Sequence, residues 1–338
     1  MQSFDLKFSI LMPVYNGGTA VIDAIKSVLS QSFTNFELIV QDNCSRDNTE
    51  SVVKSIKDER IKYSKNEANL GFQKNIRAAR KRATGDIIYL MAHDDILGKD
   101  ALLDTYKAFK ISEDIGAVTR AYYWFDKEIN TPVRAKDLLN PDKDEIVTIH
   151  DDYQRVIAVF KTLDQMSGLA YRAKYMDLDF HDDIFPSHVY PFASIFKKHP
   201  IVFLKYYNVA VRIATSQSRS PIYDRSPIQS WVDMFNNVFF EPEYKEIREK
   251  CIKDFVAVNY VGLLQIRNYS QYRHLLREIY LLIKYRWQNL FNLSFWFFSS
   301  GCIVLPPFLL IPMVDWYKNN VNTKLLKNIT FEYDLGKS

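Results

Sequence analysis

Asp94 and Asp95 stand side by side in YLMAHDDILG (Tyr89–Gly98), where an apolar run ends in two adjacent carboxylates. Buried strands rarely finish that way unless something cancels the charge. Either a cation is held at the strand end, or the pair caps the next helix. Capping is better served by Gly98–Asp100, just before the helical stretch DALLDTYKAF, which leaves the pair for a cation. A hard divalent ion is commonly held by one or two carboxylates plus the phosphates of a substrate. Two further polar stretches follow apolar runs: PVYN (Pro13–Asn16) and QDNCSRDNT (Gln41–Thr49), the latter carrying Asp42. Asp42 could itself cap the helix that follows, but Asp47 and Thr49 are better placed for that.

The elements that must carry these residues alternate regularly. FSILMPVY (Phe8–Tyr15), FELIVQDN, IKYSKN and DIIYLMAHDD read as strands. Between them lie helical patterns: AVIDAIKSVLSQ, a stretch opened by Thr49 with Val52, Val53 and Ile56, and the basic GFQKNIRAARKRAT. Strands separated by helices of about a dozen residues predict βαβ units and a parallel, doubly wound α/β sheet. Ligands of such sheets bind outside the carboxyl ends of the strands, so the three polar ends are expected at one crevice.

The composition sets outer limits. With 338 residues, 47% hydrophobic and 25% charged, the chain is long enough for a substantial core and is not disordered. A net charge of +4 gives no argument for nucleic acid. The aromatic share of 14% fits a protein that meets sugars or membranes, and equally a Phe-rich core. Cys44, Cys251 and Cys302 are far apart and odd in number, which predicts a reducing compartment. No basic region followed by a long apolar core opens the chain, so no signal peptide is expected.

From residue 100 to 215 the pattern loosens, with strands expected near GAVTRAYYWF and IVFLKYYNVAVRI. The linker ATSQSRSPIYDRSP divides the chain into expected domains at 1–220 and 221–338. The second opens with helices, among them the basic amphipathic YSQYRHLLREIYLLIKYRWQNLF, and then reaches the uncharged Leu290–Val314. That segment (290–314) is long enough to span a bilayer, which needs roughly 20 residues, yet Pro306 and Pro307 break it. A buried hairpin is the plain alternative. Basic residues on both flanks favour a re-entrant, monotopic hairpin with both ends cytoplasmic, and a single span comes second.

SILMPVYNGG, ELIVQDNCSRDNT, NEANLGFQKNIRAARKRATGDIIYLMAHDD and MSGLAYR resemble the successive blocks of the family 2 glycosyltransferases. The resemblance is specific over residues 8–100, weaker to about 215 and absent beyond. It implies a GT-A fold, a Rossmann-like, mostly parallel sheet flanked by helices; the C-terminal helical membrane-associating region is expected from the apolar segment and its basic flanks alone. It also implies transfer of a sugar from a nucleotide donor with inversion, using Mn2+ or Mg2+. By position, Asp42 is the carboxylate that reads the nucleobase, with Pro13, Tyr15 and Asn16 lining the base pocket. The family's Gly in that loop is Cys44 here. The metal motif, usually Asp-x-Asp, reads Ala92-His93-Asp94-Asp95, so its first carboxylate is missing. Asp94 then holds the metal, His93 faces ribose or phosphate, and Asp95 orients the loop. Lys74 and Arg77 are candidates for phosphate contact, on a helix whose basic run otherwise reads as a solvated face.

The family's acidic pair, whose carboxylate takes the acceptor proton, aligns with His188-Val189, while Asp182 and Asp183 lie just upstream. His188, Asp183 and Asp182 all remain candidates for the base. No QxxRW pattern occurs, which implies one sugar per acceptor. The resulting expectation is a non-processive transferase at the cytoplasmic face of a bacterial inner membrane. It would take a hexose or deoxyhexose from a UDP, CDP or dTDP donor to a polyprenyl-diphosphate-linked saccharide in O-antigen or surface-polysaccharide synthesis. A catalytically inactive nucleotide-sugar-binding protein of the same fold is the alternative. A nucleotidyltransferase would want a basic glycine-rich loop after the first strand, and PVYNGGTAV has no basic residue.

Overall fold

A computed structural model describes residues 4–213, 221–322, 324 and 326–336. Twelve strands and twelve α-helices run along those residues. The first part holds β1 (Phe8–Val14), α1 (Ala20–Leu29), β2 (Phe36–Asp42), α2 (Thr49–Ser55), β3 (Ile61–Lys65), α3 (Phe72–Arg82) and β4 (Ile87–Leu90). These match the alternation read from the sequence. Then come β5 (Ile96–Leu97), α4 (Ala101–Lys110), β6 (Ala117–Arg120), β7 (Tyr123–Phe125), β8 (Pro132–Ala135), β9 (Glu145–Val147) and α5 (Tyr153–Phe160). β10 (Ala170–Arg172), α6 (Val189–Lys198), β11 (Ile201–Leu204) and β12 (Val209–Arg212) complete the strands. The remaining helices are α7 (Pro227–Val238), α8 (Lys245–Asp254), α9 (Gly262–Tyr269), α10 (Tyr272–Tyr285), α11 (Leu293–Val304) and α12 (Pro307–Tyr317).

The chain forms two compact units. The first gathers residues 1–151, 158–215 and 326–338; the second gathers 152–157 and 216–325. The boundary expected near residue 220 falls among residues outside the described set. Residues 326–336, which the sequence reading grouped with the helical region, lie with the first unit instead.

In the first unit an eight-stranded sheet runs β3-β2-β1-β4-β10-β6-β11-β9. Its first four strands are parallel; β1, β2 and β4 are buried along their whole length, while β3 at the edge is half-exposed. The expectation of a mostly parallel sheet fails beyond β4. β10 lies antiparallel to both β4 and β6, and β9 antiparallel to β11, so the sheet is mixed. The cause is local: the loop before β10 turns at Gly168 (φ +84°), where its N–H reaches the Leu90 carbonyl at the end of β4. β10 must then run back down the sheet.

The expected single strands GAVTRAYYWF and IVFLKYYNVAVRI each break in two. β6 and β11 stay in the large sheet, while β7 and β12 join a second, four-stranded sheet, β5-β12-β7-β8. Residues 329–335 cover this small sheet. Ile329, Phe331, Tyr333 and Leu335 pack on Ile96, Tyr123, Phe125 and Ala210. Lys99 N–H donates to the Glu332 carbonyl (2.9 Å), and Ser30 Oγ donates to that of Asp334 (2.5 Å).

The second unit is helical. Ser226 caps α7 through Gln229 N–H, and its hydroxyl donates to Glu278 Oε2 (2.9 Å). Glu278, the acid of the basic helix α10, is thereby turned into the interior, where burial raises its pKa. The uncharged Leu290–Val314 segment divides into α11 and α12 at Leu305–Pro306, because proline cannot supply the N–H that would continue a helix. Among the described residues no helix is long and apolar enough to cross a membrane.

Candidate active site

The loop after β1 is the hub of the site. Asn16 adopts φ +51°, which folds the chain back over the sheet edge. Its N–H donates to Ser45 Oγ (2.9 Å), and its side-chain oxygen accepts from Arg46 N–H (3.0 Å). Gly17 N–H donates to Thr49 Oγ1 and Gly18 N–H to Asp47 Oδ2, each at 2.9 Å. On the other side Gly17 meets the loop after β4. A methyl group at Gly17 would lie 2.8 Å from Val14 Cγ2 and 3.1 Å from the His93 ring, so only bare backbone fits. The three polar strand ends therefore meet, as the sheet topology required.

Asp42 ends β2 fully buried. Ser45 N–H donates to its Oδ1 (2.7 Å) and Tyr63 OH to its Oδ2 (2.7 Å). Burial and this bond push the Tyr63 phenol upward. Each carboxylate oxygen keeps a second lone pair for a further donor. Pro13 is buried within β1 opposite Gln41, Tyr15 is half-buried and Asn16 is exposed. Cys44 sits at φ +65°, a left-handed conformation that glycine adopts without strain. A network of amides extends the wall. Gln41 Nε2 donates to Asn66 Oδ1, Asn66 Nδ2 to Asn43 Oδ1 and Asn75 Oδ1, and Asn43 Nδ2 to Asn69 Oδ1. The density of Asn across DNC and NEANLG is the sequence signal for this network.

Asp94 is 7% exposed and Asp95 1%. Both Asp95 oxygens are committed within the fold: Oδ2 accepts from Ser167 Oγ (2.6 Å) and Oδ1 from Arg212 N–H (3.0 Å). Burial, then the neighbouring Asp94, push the Asp95 carboxyl up to about 8. Ser167 also accepts from Ala92 N–H (2.9 Å), and Arg212 Nε donates to the Asp94 carbonyl (3.2 Å). The turn that presents Asp94 is thus clamped from both sides by residues the sequence reading did not single out. Arg120 supports the clamp from below: its fully buried guanidinium donates to the Ser167 carbonyl and to that of Gln165 (3.0 Å).

A divalent ion fits this arrangement sparsely. Among the described residues no group of three His, Cys, Asp or Glu side chains gathers to hold one. The donors on offer are the Asp94 carboxylate and the half-buried His93, with substrate phosphates left to supply the rest, a set Mg2+ accepts. Asp95 acts on the turn rather than facing outward.

The candidates for the base separate clearly. His188 caps α6 and is buried; its Nε2 lies 2.8 Å from the Leu163 carbonyl. A carbonyl only accepts, so Nε2 carries the proton, and burial pushes the ring's pKa down to about 4. Asp182 is exposed and paired with Arg77, whose Nε also donates to the Phe180 carbonyl (2.7 Å). Asp183 is half-buried beside them. Arg77 is thereby occupied in holding the 180–183 loop rather than offered to a phosphate. Lys74 is exposed on the first turn of α3.

Residues 9–168 match the model of glycosyl transferase family 2. The Staphylococcus aureus poly(ribitol-phosphate) beta-N-acetylglucosaminyltransferase TarS is 33% identical over 103 residues, covering 29% of this chain and 18% of TarS. The Escherichia coli UDP-Glc:alpha-D-GlcNAc-diphosphoundecaprenol beta-1,3-glucosyltransferase WfgD is 40% identical over 92 residues, covering 27% of this chain and 36% of WfgD. The matched stretches thus span well under half of these relatives. The crystal structure of TarS 1–349 with UDP superposes with a TM-score of 0.61 at 17% identity, covering 95% of this chain and 90% of that one. A mannosyltransferase from Pyrobaculum calidifontis, solved with GDP-Man and Mn2+, gives 0.52 at 13% identity, covering 96% and 90%. The fold is GT-A-like.

Proposed function

Residues 9–168 of this chain belong to glycosyl transferase family 2, and from that premise we propose that the protein is an inverting, non-processive glycosyltransferase. Its donor is a nucleoside diphosphate sugar, and its acceptor is a saccharide carried on a polyprenyl diphosphate at a membrane surface. The cytoplasmic face of a bacterial inner membrane and a surface-polysaccharide pathway suit that acceptor. The hub of loops supports this reading: one set of hydrogen bonds holds Asp42, a second holds the Asp94 turn, and Gly17 packs the first loop against His93 of that turn. A nucleotide with a diphosphate tail needs both a base-reading acceptor and a carboxylate near its phosphates at one sheet edge. UDP is the favoured nucleotide and a hexose the favoured sugar, since the name of WfgD gives UDP-Glc as donor and a diphosphoundecaprenol acceptor.

In this reading Asp42 accepts a ring N–H of the base, within a wall formed by Pro13, Tyr15 and Asn16. Asp94, with His93 beside it, holds Mn2+ or Mg2+. The ion, when bound, offsets the charge that develops on the leaving diphosphate. Asp95, Ser167 and Arg212 keep the Asp94 carboxylate in place. Asp183 is the candidate put forward to take the acceptor proton, with Asp182 and His188 as the alternatives, His188 being buried against the Leu163 carbonyl. The inward turn of His188, at the position where the family has a carboxylate, favours the second reading, a nucleotide-sugar-binding protein without turnover.

Calorimetric titration of UDP with and without Mn2+, on wild type and Asp94→Asn, tests the site. The expected result is tight binding only with metal, and loss of that enhancement in the variant. Metal-independent binding untouched by the substitution would return Asp94 to a purely structural role. A transfer assay on Asp183→Asn then separates the two readings: a fall of about 10²–10⁴ in kcat with UDP binding intact marks the base. No turnover by the wild type over a panel of lipid-linked acceptors favours the binding protein.

A further inference from the structure

The second unit exposes an apolar face of unusual make-up. In α11 the inward stripe is Phe295, Ser299 and Cys302, all buried. The outward side carries Leu293 (89% exposed), Phe297 (74%) and Val304 (74%), so the helix is more apolar where it faces out than where it packs. α12 repeats this, burying Leu310 and exposing Phe308 (73%) and Met313. Helices apolar all round belong in a core or in lipid. These two are exposed, and neither is long enough to cross a bilayer. Contiguous apolar patches of this kind mark an interaction surface.

The surrounding residues say what covers it. Trp287 just before α11, Trp296 in α11 and Trp316 in α12 are all exposed, the residue type that settles at lipid headgroups. α10, immediately upstream, exposes Arg273 and Lys284, while its acid, Glu278, is buried and bonded to Ser226 and Arg277. Lys324 is exposed beyond α12. An apolar face with tryptophans and basic neighbours matches the headgroup boundary of an anionic bilayer, where a helix lies in the plane rather than spanning it.

We propose that the outward face of α11 and α12 docks this protein on anionic phospholipid, with Phe297 and Phe308 entering the acyl boundary. This deepens the lipid-linked acceptor reading by naming the surface, and rests on it only for its purpose.

The test is flotation of the full chain with vesicles of phosphatidylcholine alone and of phosphatidylcholine mixed with phosphatidylglycerol. Wild type is expected to float with the mixed vesicles and far less with the neutral ones. The double variant Phe297→Ser, Phe308→Ser should lose on the order of tenfold or more in partitioning. Both side chains are exposed, so the fold is expected to survive, and UDP binding by the same preparations reports that it has. Quenching of tryptophan fluorescence by brominated lipid reads insertion in the wild type without any substitution. Flotation that is absent, or equal in the variant, overturns the proposal. Variant-sensitive self-association in sedimentation, without flotation, overturns it in favour of a contact between copies. A wild type that floats but binds no UDP would instead count against the transferase reading.

Discussion

His188 donates its Nε2 proton to the Leu163 carbonyl and is otherwise walled in, so it stays neutral in the fold to a lower pH than in the unfolded chain. Its folded pKa is about 4 against an ordinary 6.5. The unfolded state therefore binds the extra proton first as pH falls. The contribution of this residue is fully present above about pH 6.5 and is lost as pH drops towards 4, by at most about 3 kcal/mol. Denaturant titrations across that range should show a limb of falling stability that His188→Gln flattens. An unchanged limb in the variant would place its origin elsewhere. At this scale the sequence was informative where chemistry is written into adjacent residues: Asp42, Asp94 and Asp95 ended the expected strands. It was silent on Ser167 and Arg212, whose meaning depends on partners 72 and 117 positions away. Nothing in the local pattern of a serine before a glycine, or an arginine ending a strand, announces such a partner.

Between β6 and β10 the decisive element is a loop. Gly168 turns it at φ +84°, and a methyl group there would lie 2.7 Å from both Arg120 Nε and Val209 Cγ2. Gly168→Ala is expected to cost about 2–4 kcal/mol through backbone strain and overpacking. It should also lower transfer activity, since Ser167 next to it holds Asp95. A denaturation midpoint close to wild type would show that Arg120 and the loop can give way. The same region shows why the parallel half of the sheet was legible and the rest was not. β1, β2 and β4 are short apolar runs, and the helices between them carry the 3.6-residue period, a signal that survives without tertiary context. At Ala121–Tyr122 and Lys205–Asn208 the chain moves from one sheet to another with no glycine or proline to mark the break. Both sides of each break are buried, so they merge into one apolar run.

For the molecule as a whole, the first unit depends on a segment far along the chain. Ile329, Phe331, Tyr333 and Leu335 alternate with polar residues, the period-2 signature of a half-buried strand, and that pattern was present in the sequence. The uncharged apolar segment just before it masks that signal, since by composition residues 221–338 read as one helical region. Deleting residues 326–338 should uncover Tyr123 and Phe125 and destabilise the first unit by roughly 3–5 kcal/mol, from several partly buried apolar side chains. Thermal unfolding of the truncated chain, followed with a dye that binds apolar surface, would report it. An unaltered midpoint would mean that the small sheet stands without its cover.

The return of residues 326–336 also makes the helical unit an insertion: the chain leaves the first unit after residue 215 and comes back at 326. The covering segment then behaves as a peptide ligand that its own domain keeps at high effective concentration by tethering. Cut anywhere within the helical unit, the chain would become two fragments that still recognise each other through the small sheet. A synthetic peptide of residues 326–336 should compete for that groove in a truncated protein, which offers a way to label or displace the cover without touching Asp42 or Asp94.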